Sequence, residues 1–255
     1  MPLSGKLPES HGRCRRHIER VYAVIHRRRT DALFLPKSNN KTLTDVKNAC
    51  STNHQQRMQN IVLSPQLQHK PAPGSLLDAI YRRHTSRLFI ARPLSATHLS
   101  QLLWAAYGIN RTDGHRTVPA AMGLYPLRIY AFMPSGVYLY NPVDSVLEAV
   151  AVGDFRSYAG MQDFVPEAPI SLVIFSDFDA FRTGNSEIDT VMAGHEAWAS
   201  ALDAGAVAEN VYLYCSAEDI NVVERMMVDV PSVKKLLDLP DSYRFQVALT
   251  VGYGV

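Results

Sequence analysis

The densest run of side chains able to bind an anion lies at residues 82–89, RRHTSRLF. It places three arginines, one histidine and two hydroxyl side chains in six consecutive positions, directly before Leu88 and Phe89. Guanidinium groups offer paired N–H donors that match phosphate or carboxylate oxygens, and hydroxyls add further donors. The run therefore indicates a site for phosphate or another anion, although a solvated basic turn would have the same composition.

Short elements on either side are expected to position this run. Pro71 to Gly74 is a linker, and Ser75 can cap a short helix over Leu76 to Tyr81. Ser95 is a good N-cap for a second helix, in which leucines recur at helical spacing up to Gly108. A loop with glycine and proline punctuation follows over residues 110–126. The anion-binding run is thus predicted to connect two helices.

The longest predicted element is a helix over residues 195–219. Between Ala197 and Ala217 the only formal charges are Asp203 and Glu209, so most of its faces are apolar and it should be buried. Four small residues spaced four apart should stack on one face and admit another backbone: Ala193, Ala197, Ala201 and Gly205. We interpret this helix as a central one shared with a second subunit. An ordinary buried helix of a monomer remains the alternative.

The remaining pattern mixes strands and helices without a strict alternation. The predicted strands are Leu127 to Met133, Val137 to Tyr140, Ile170 to Ser176 and Phe245 to Gly252. Short helices are predicted at Asp144 to Val150 and Ser232 to Leu237, and a break near Asn221. This mixture indicates an α+β fold in which helices sandwich a sheet.

The charge distribution divides the chain near residue 70. Residues 1–70 carry 13 Lys/Arg and 4 Asp/Glu, whereas residues 71–255 carry 13 and 20. The first part has no convincing pattern, so we expect a basic, disordered N-terminal extension before a folded domain at 71–255. Two alternatives stay open for the extension. It could bind nucleic acid or an acidic membrane, or the natural chain could begin at Met58.

Several functional classes find no support in the sequence. Cys14, Cys50 and Cys215 share no metal-ligand spacing, which disfavours a zinc site or disulfide framework and favours a reducing, cytoplasmic compartment. No apolar run approaches the roughly 20 residues of a membrane span, and no signal-peptide core is present. His195-Glu196 lacks the second histidine of a zinc protease. We therefore expect no metal, no membrane and no nucleic acid for the domain.

Six segments, in this order, resemble the nitroreductase family, in particular the branch that includes the SagB/ThcOx-type dehydrogenases. They extend from about Leu76 to the C-terminus: RRHTSRLF, PLSATHLSQLLWAAYGIN, RTVPAAMGLYPLRIYAF, GVYLYNP, DAGAVAENVYLYCSAEDINVV and LPDSYRFQVALTVGYG. The resemblance implies an FMN-binding homodimer of α+β fold, with a central, mainly antiparallel sheet. It also implies that the long helix forms the dimer core and that each flavin lies between subunits.

The resemblance also assigns roles to individual residues. It implies that Arg83 and Thr85 contact the FMN phosphate or ribityl chain, with His84 in support, and that Arg87 lies near the N1/C2 edge of the flavin. The partner chain would contribute a loop, and the backbone after the long helix would lie along the ring: Pro119, Ala120, Ala121 and Met122 in the loop, then Asn221, Val222 and Val223. Ala120 replaces the usual serine of that loop. No basic residue follows the final strand, so phosphate binding would rely on Arg83 and on Arg116.

The implied activity is an FMN-dependent oxidoreductase that works by ping-pong hydride transfer. NAD(P)H would be the co-substrate, and a small acceptor such as a nitroaromatic or quinone would be reduced through flavin N5. The flavin itself would do the chemistry, so no catalytic side chain is expected. Two alternatives are an azoline dehydrogenase acting on a peptide, as in the ThcOx branch, and a non-catalytic flavin-binding dimer.

Overall fold

A six-stranded sheet organises the part of the chain that the computed structural model describes, residues 70–254. Its strands are β1 Leu127–Met133, β2 Gly136–Asn141, β3 Val146–Val152, β4 Ile170–Asp177, β5 Ile220–Arg225 and β6 Tyr243–Tyr253. The order across the sheet is β3-β2-β1-β4-β6-β5, and all neighbouring strands are antiparallel. The prediction of an α+β fold with an antiparallel sheet is therefore confirmed.

Five α-helices accompany the sheet within the described residues. They are α1 Leu76–Arg82, α2 Ala96–Tyr107, α3 Ser186–Met192, α4 Glu196–Ala217 and α5 Val230–Leu236. The two predicted caps are present: the Oγ of Ser75 accepts from Asp78 N, and that of Ser95 accepts from His98 N, both at 3.1 Å. Because each cap satisfies a free N–H of the first turn, helices α1 and α2 begin where the sequence predicts.

The sheet is covered by helices on both faces. In β4, Leu172 and Ile174 lie in the hydrophobic cluster that includes α2 and α4. Val173 and Phe175 point to the opposite face and pack in a second cluster with α5. Since successive strand residues point to opposite faces, the continuous apolar run of β4 fills both clusters. The predicted sandwich of a sheet between helices is confirmed.

The helix predicted at Asp144 to Val150 is wrong, because this segment is strand β3. It pairs antiparallel with β2, with one irregularity between Val137 and Tyr138. The preceding turn is fixed by the Asn141 side chain, whose Oδ1 accepts from Val143 N and Asp144 N. Pairing with β2 outweighs the helical spacing of Leu147 and Val150, since strand preference is decided mainly by neighbouring strands.

The region around the long helix also departs from prediction in detail. Helix α4 confirms the long element, but Ala193 lies outside it and forms the C-cap of the unpredicted helix α3. Ala193 therefore does not belong to the stack of small residues. Residues 220–225 form strand β5 where only a break was predicted near Asn221.

The prediction of a basic extension at residues 1–70, with its possible start at Met58, falls almost entirely outside the described residues. The same holds for Cys14 and Cys50. Cys215 is a free, buried cysteine of α4, and burial raises the pKa of its thiol. No helix within residues 70–254 has the length and apolarity needed to cross a membrane.

Candidate functional site

The arginines at the end of α1 differ sharply in their partners. Arg82 is engaged on both sides: its Nε lies 3.0 Å from Asp78 Oδ2 and its Nη1 lies 2.6 Å from Asp219 Oδ1. Arg83 and Arg87 are exposed, and neither makes an ion pair with any residue in 70–254. Two guanidinium groups therefore remain available to an external anion.

The segment that carries these arginines lies along strand β5, which is an edge of the sheet. Ser86 N donates to Val222 O at 3.0 Å, and the Asn221 side chain donates through Nδ2 to Leu88 O at 2.7 Å. These bonds bring together two groups of predicted site residues that are more than 130 positions apart in sequence. Arg83 to Arg87 and Asn221 to Val223 thus form one surface, here called the β5-edge site.

A tyrosine of α4 lies beneath the β5-edge site. The Tyr212 hydroxyl is 3.0 Å from Thr85 Oγ1 and accepts from Glu224 N at 2.9 Å. Its ring centroid is 5.2 Å from Arg83 Cζ, within reach of a cation–π contact. His84 is tied to its own segment, because its Nδ1 donates to Arg82 O at 2.9 Å. The predicted residues Arg83, His84 and Thr85 are therefore held in place from below and from the side.

The predicted flavin loop, Pro119 to Met122, is anchored elsewhere on α4. Ala121 N donates to Asp203 Oδ1 at 3.2 Å, and Met122 adopts a left-handed backbone with φ of 53°. Asp203 is nine residues before Tyr212, or roughly 14 Å along the helix axis. The loop and the β5-edge site are consequently attached at separate levels of one helix.

Asp203 is an unusual residue for the middle of an apolar helix. Its side chain is buried, with 5% exposure for the whole residue, and no described cation forms an ion pair with it. Burial raises the pKa of this carboxyl to about 6, and the hydrogen bond from Ala121 N opposes the shift. At physiological pH, above this pKa, the ionised Asp203 carboxylate accepts the bond from Ala121 N and so anchors the loop.

Arg116 occupies a different environment from Arg83. Its Cζ lies 4.0 Å from the ring centroid of Tyr107 and 5.0 Å from that of Tyr125. Burial lowers the pKa of the guanidinium. Within the described residues none of its side-chain contacts reaches the segment that bears Arg83. Its predicted role in phosphate binding stays a prediction.

Two residues of the site were not singled out as such from the sequence. Asp203 is visible as one of two carboxylates within an apolar helix, and a carboxylate on the buried face of such a helix needs a donor opposite it. Tyr212 carries no such signal, since an aromatic residue in a buried helix is usually part of the core. Only the fold shows that its hydroxyl meets Thr85 and Glu224.

Comparisons with known proteins agree with this architecture. The model of the nitroreductase family matches residues 80–253. The "Putative nitroreductase MJ1384" of Methanocaldococcus jannaschii is 31% identical over 159 residues, which are 58% of this chain and 76% of that protein. The crystal structure of a putative nitroreductase from Ralstonia eutropha JMP134 is 31% identical, with a TM-score of 0.63. The match covers 76% of this chain and 88% of that one.

A third comparison concerns the fold alone. The McbBCD microcin synthetase complex of Escherichia coli, bound to truncated pro-MccB17, matches with 15% identity and a TM-score of 0.54, over 92% of this chain and 91% of that one. With a family model that spans more than half of the chain, and a relative above 30% identity, the protein belongs to the nitroreductase family of oxidoreductases.

Proposed function

We propose that the protein is an FMN-dependent oxidoreductase that takes hydride from NAD(P)H and reduces a small acceptor such as a nitroaromatic or a quinone. The observation that carries the proposal is the β5-edge site. There Arg83 and Arg87 are exposed and form no ion pair within residues 70–254, on a segment fixed to the sheet by Ser86 and Asn221. Membership of the nitroreductase family supports the same redox class.

The donor set of the β5-edge site fits the phosphate of FMN. A phosphate monoester carries nearly two negative charges and accepts several hydrogen bonds. Arg83 supplies a charged fork and Thr85 a hydroxyl, while Arg82 is already occupied by Asp78 and Asp219. Charged donors of this kind form stronger hydrogen bonds than neutral ones. In the proposal Arg83 and Thr85 hold the phosphate or ribityl chain, and His84 supports their segment.

Bound FMN would supply hydride acceptance and release at its N5 atom. The protein then has to bind FMN, orient its ring and stabilise the charge of the reduced ring. Arg87 would lie at the N1/C2 edge, where a fixed cation favours the negative charge of the reduced ring. The backbone of Asn221 to Val223 would lie along the ring. Because Val222 and Val223 are buried in the sheet, this wall is rigid.

The proposal includes a homodimer that shares its two sites. Helix α4 presents small and large apolar residues to solvent within the described part of the chain, among them Trp198 at 68% and Leu202 at 55% exposure. Such a patch is typical of an interface. In this arrangement the Pro119 to Met122 loop of one subunit reaches the flavin of the other. Its anchoring at Asp203, away from the β5-edge site of its own chain, supports that role.

Two other activities are less well supported. The likeness to the McbBCD complex is at 15% identity, so it indicates the fold and gives no reason to choose a peptide azoline as substrate. A flavin-binding dimer without turnover would use the same residues. Ala120, which lacks a side-chain donor, agrees slightly with that alternative. Reduction by a pyridine nucleotide distinguishes an enzyme from such a dimer.

The test is a visible spectrum of the purified full chain, before and after anaerobic addition of NADH or NADPH. We expect a yellow protein whose flavin band bleaches with one nucleotide and returns when a nitroaromatic or quinone is added. A flavin band that neither nucleotide bleaches would show a flavin-binding dimer instead. A protein that stays colourless after incubation with FMN would contradict the proposed cofactor.

A further inference from the structure

The Tyr212 hydroxyl bonds to two parts of the chain that also meet through Ser86 N to Val222 O and Asn221 Nδ2 to Leu88 O. On one side is Thr85, in the segment that carries Arg83. On the other is the amide of Glu224, which lies in the edge strand β5 and points away from β6. Tyr212 is 6% exposed, and so its hydroxyl must find its partners within the protein. A single side-chain oxygen therefore connects both halves of the β5-edge site.

We propose that Tyr212 is a positioning residue for the FMN site, which sets Thr85 and Arg83 relative to strand β5 through its hydroxyl and its ring. This inference rests on the proposed function for the identity of the ligand. Tyr212 would act through other residues and need not touch the cofactor itself.

The directions of the two hydrogen bonds of the Tyr212 hydroxyl leave the Thr85 hydroxyl able to donate to a bound anion. The amide of Glu224 can only donate, so the Tyr212 oxygen is the acceptor in that bond. The tyrosine O–H is then free to donate to Thr85 Oγ1, at 3.0 Å. Once Thr85 accepts this bond, its own hydroxyl hydrogen can turn outward to a phosphate oxygen. The Tyr212 ring also lies below Arg83, and its electron-rich face attracts the guanidinium cation.

A matched control lies two residues further along the same helix. The hydroxyl of Tyr214 lies within hydrogen-bond distance of two acceptors in α2, Gln101 Oε1 at 3.1 Å and His98 O at 3.3 Å. Tyr214→Phe therefore also removes one side-chain hydroxyl from α4, but leaves the β5-edge site intact. If Tyr212 served only the core, the two phenylalanine variants would behave alike.

The experiment compares the parent with Tyr212→Phe and Tyr214→Phe in two measurements. FMN affinity is measured by quenching of flavin fluorescence on titration with flavin-free protein. Amide hydrogen exchange is measured in the flavin-free protein for peptides over 83–88 and 221–225. We expect Tyr212→Phe to weaken FMN binding about tenfold and to speed exchange in both peptides, because Glu224 N loses its acceptor and Thr85 loses its bond to the helix. Tyr214→Phe should change affinity by less than about twofold.

The two measurements separate this inference from the proposed function. Unchanged exchange in Tyr212→Phe, or faster exchange with FMN affinity equal to the parent, would overturn the positioning role. If the parent binds no FMN, the proposed cofactor fails. Hydrogen exchange would then still decide whether Tyr212 holds the two segments together, and equal exchange in the two variants would overturn that role as well.

Discussion

Helix α4 has two faces that differ in what they contact. The buried face carries polar side chains that bond to segments outside the helix: Asp203 to Ala121 N, Asn210 to Ala105 O, Tyr212 to Glu224 N and Ser216 to Ala79 O. Asp203, Asn210 and Tyr212 each bond to a main-chain group without another backbone partner, whereas Ala79 O also accepts from Arg83 N. The buried face thus fixes the loops from which the site is built.

Over residues 197–205 the open face of α4 is apolar and has no such bonds in the described part of the chain, and the exposed Glu209 follows one turn later. Ala197, Trp198, Ala201, Leu202 and Gly205 are all exposed. One helix can thus organise a site within its own subunit and still offer a surface to another. Changes on the open face should therefore affect assembly, whereas changes on the buried face should affect the loops.

The largest effect is expected for Gly205→Leu on the open face. A Cβ added at Gly205 meets no atom within 4 Å in the single chain, so leucine fits there and improves helix propensity by about 1 kcal/mol. In a dimer packed through this face, the same leucine overpacks the contact at a cost of about 1–3 kcal/mol. We expect a shift from dimer to monomer and a loss of bound FMN, measured by light scattering and absorbance on one sample.

The control for this experiment is Ala217→Leu, which adds similar bulk at an exposed position near the end of α4. It should leave both mass and flavin content unchanged. A Gly205→Leu protein that remains dimeric with full flavin would show that the open face is not the interface. A parent that is monomeric with full flavin would refute the shared site altogether.

A smaller effect is expected for Asp203→Asn on the buried face. Burial raises the pKa of Asp203 to about 6, above the unfolded value of about 3.9. The folded state therefore binds more protons between these values, and the parent loses stability as pH rises through about 6. Asparagine keeps an oxygen for Ala121 N but carries no charge. We expect its melting temperature, relative to the parent, to rise by a few degrees from pH 4 to pH 7.5.

Thermal unfolding of both proteins across this pH range checks the prediction. About 1 kcal/mol corresponds to roughly 2–4 °C for a domain of this size. A difference between the two proteins that does not change with pH would mean that Asp203 titrates in the folded state as it does in the unfolded chain. A loss of FMN in Asp203→Asn without loss of stability would instead indicate that the charge itself positions the loop.

Much of the fold could be predicted from local pattern. The caps at Ser75 and Ser95, the strand at 127–133 and the apolar helix α4 each follow from side chains close in sequence. Strand β3 could not be predicted in this way, because its conformation depends on pairing with β2. Strand β5 also depends on pairing, because its partner β6 follows only after helix α5, and so it could not be predicted from local pattern.

The site could be predicted in part. Arginines and hydroxyls at 82–87 are evident from composition, and the family resemblance suggested Asn221 to Val223. The sequence does not show that Arg82 is held by Asp78 and Asp219, while Arg83 forms no ion pair among the residues that the structure describes. That distinction depends on contacts across 137 positions, and it decides which of two adjacent arginines can bind an anion.

This distinction gives the most direct test of the proposal that Arg83, which is exposed at the β5-edge site, holds the FMN phosphate. Arg82→Gln and Arg83→Gln each remove one positive charge from neighbouring positions, so FMN dissociation constants are measured for both and for the parent. We predict that Arg83→Gln weakens FMN binding by about 10- to 100-fold, whereas Arg82→Gln lowers thermal stability and changes affinity by about twofold or less. Equal FMN affinity in Arg83→Gln and the parent would contradict the account.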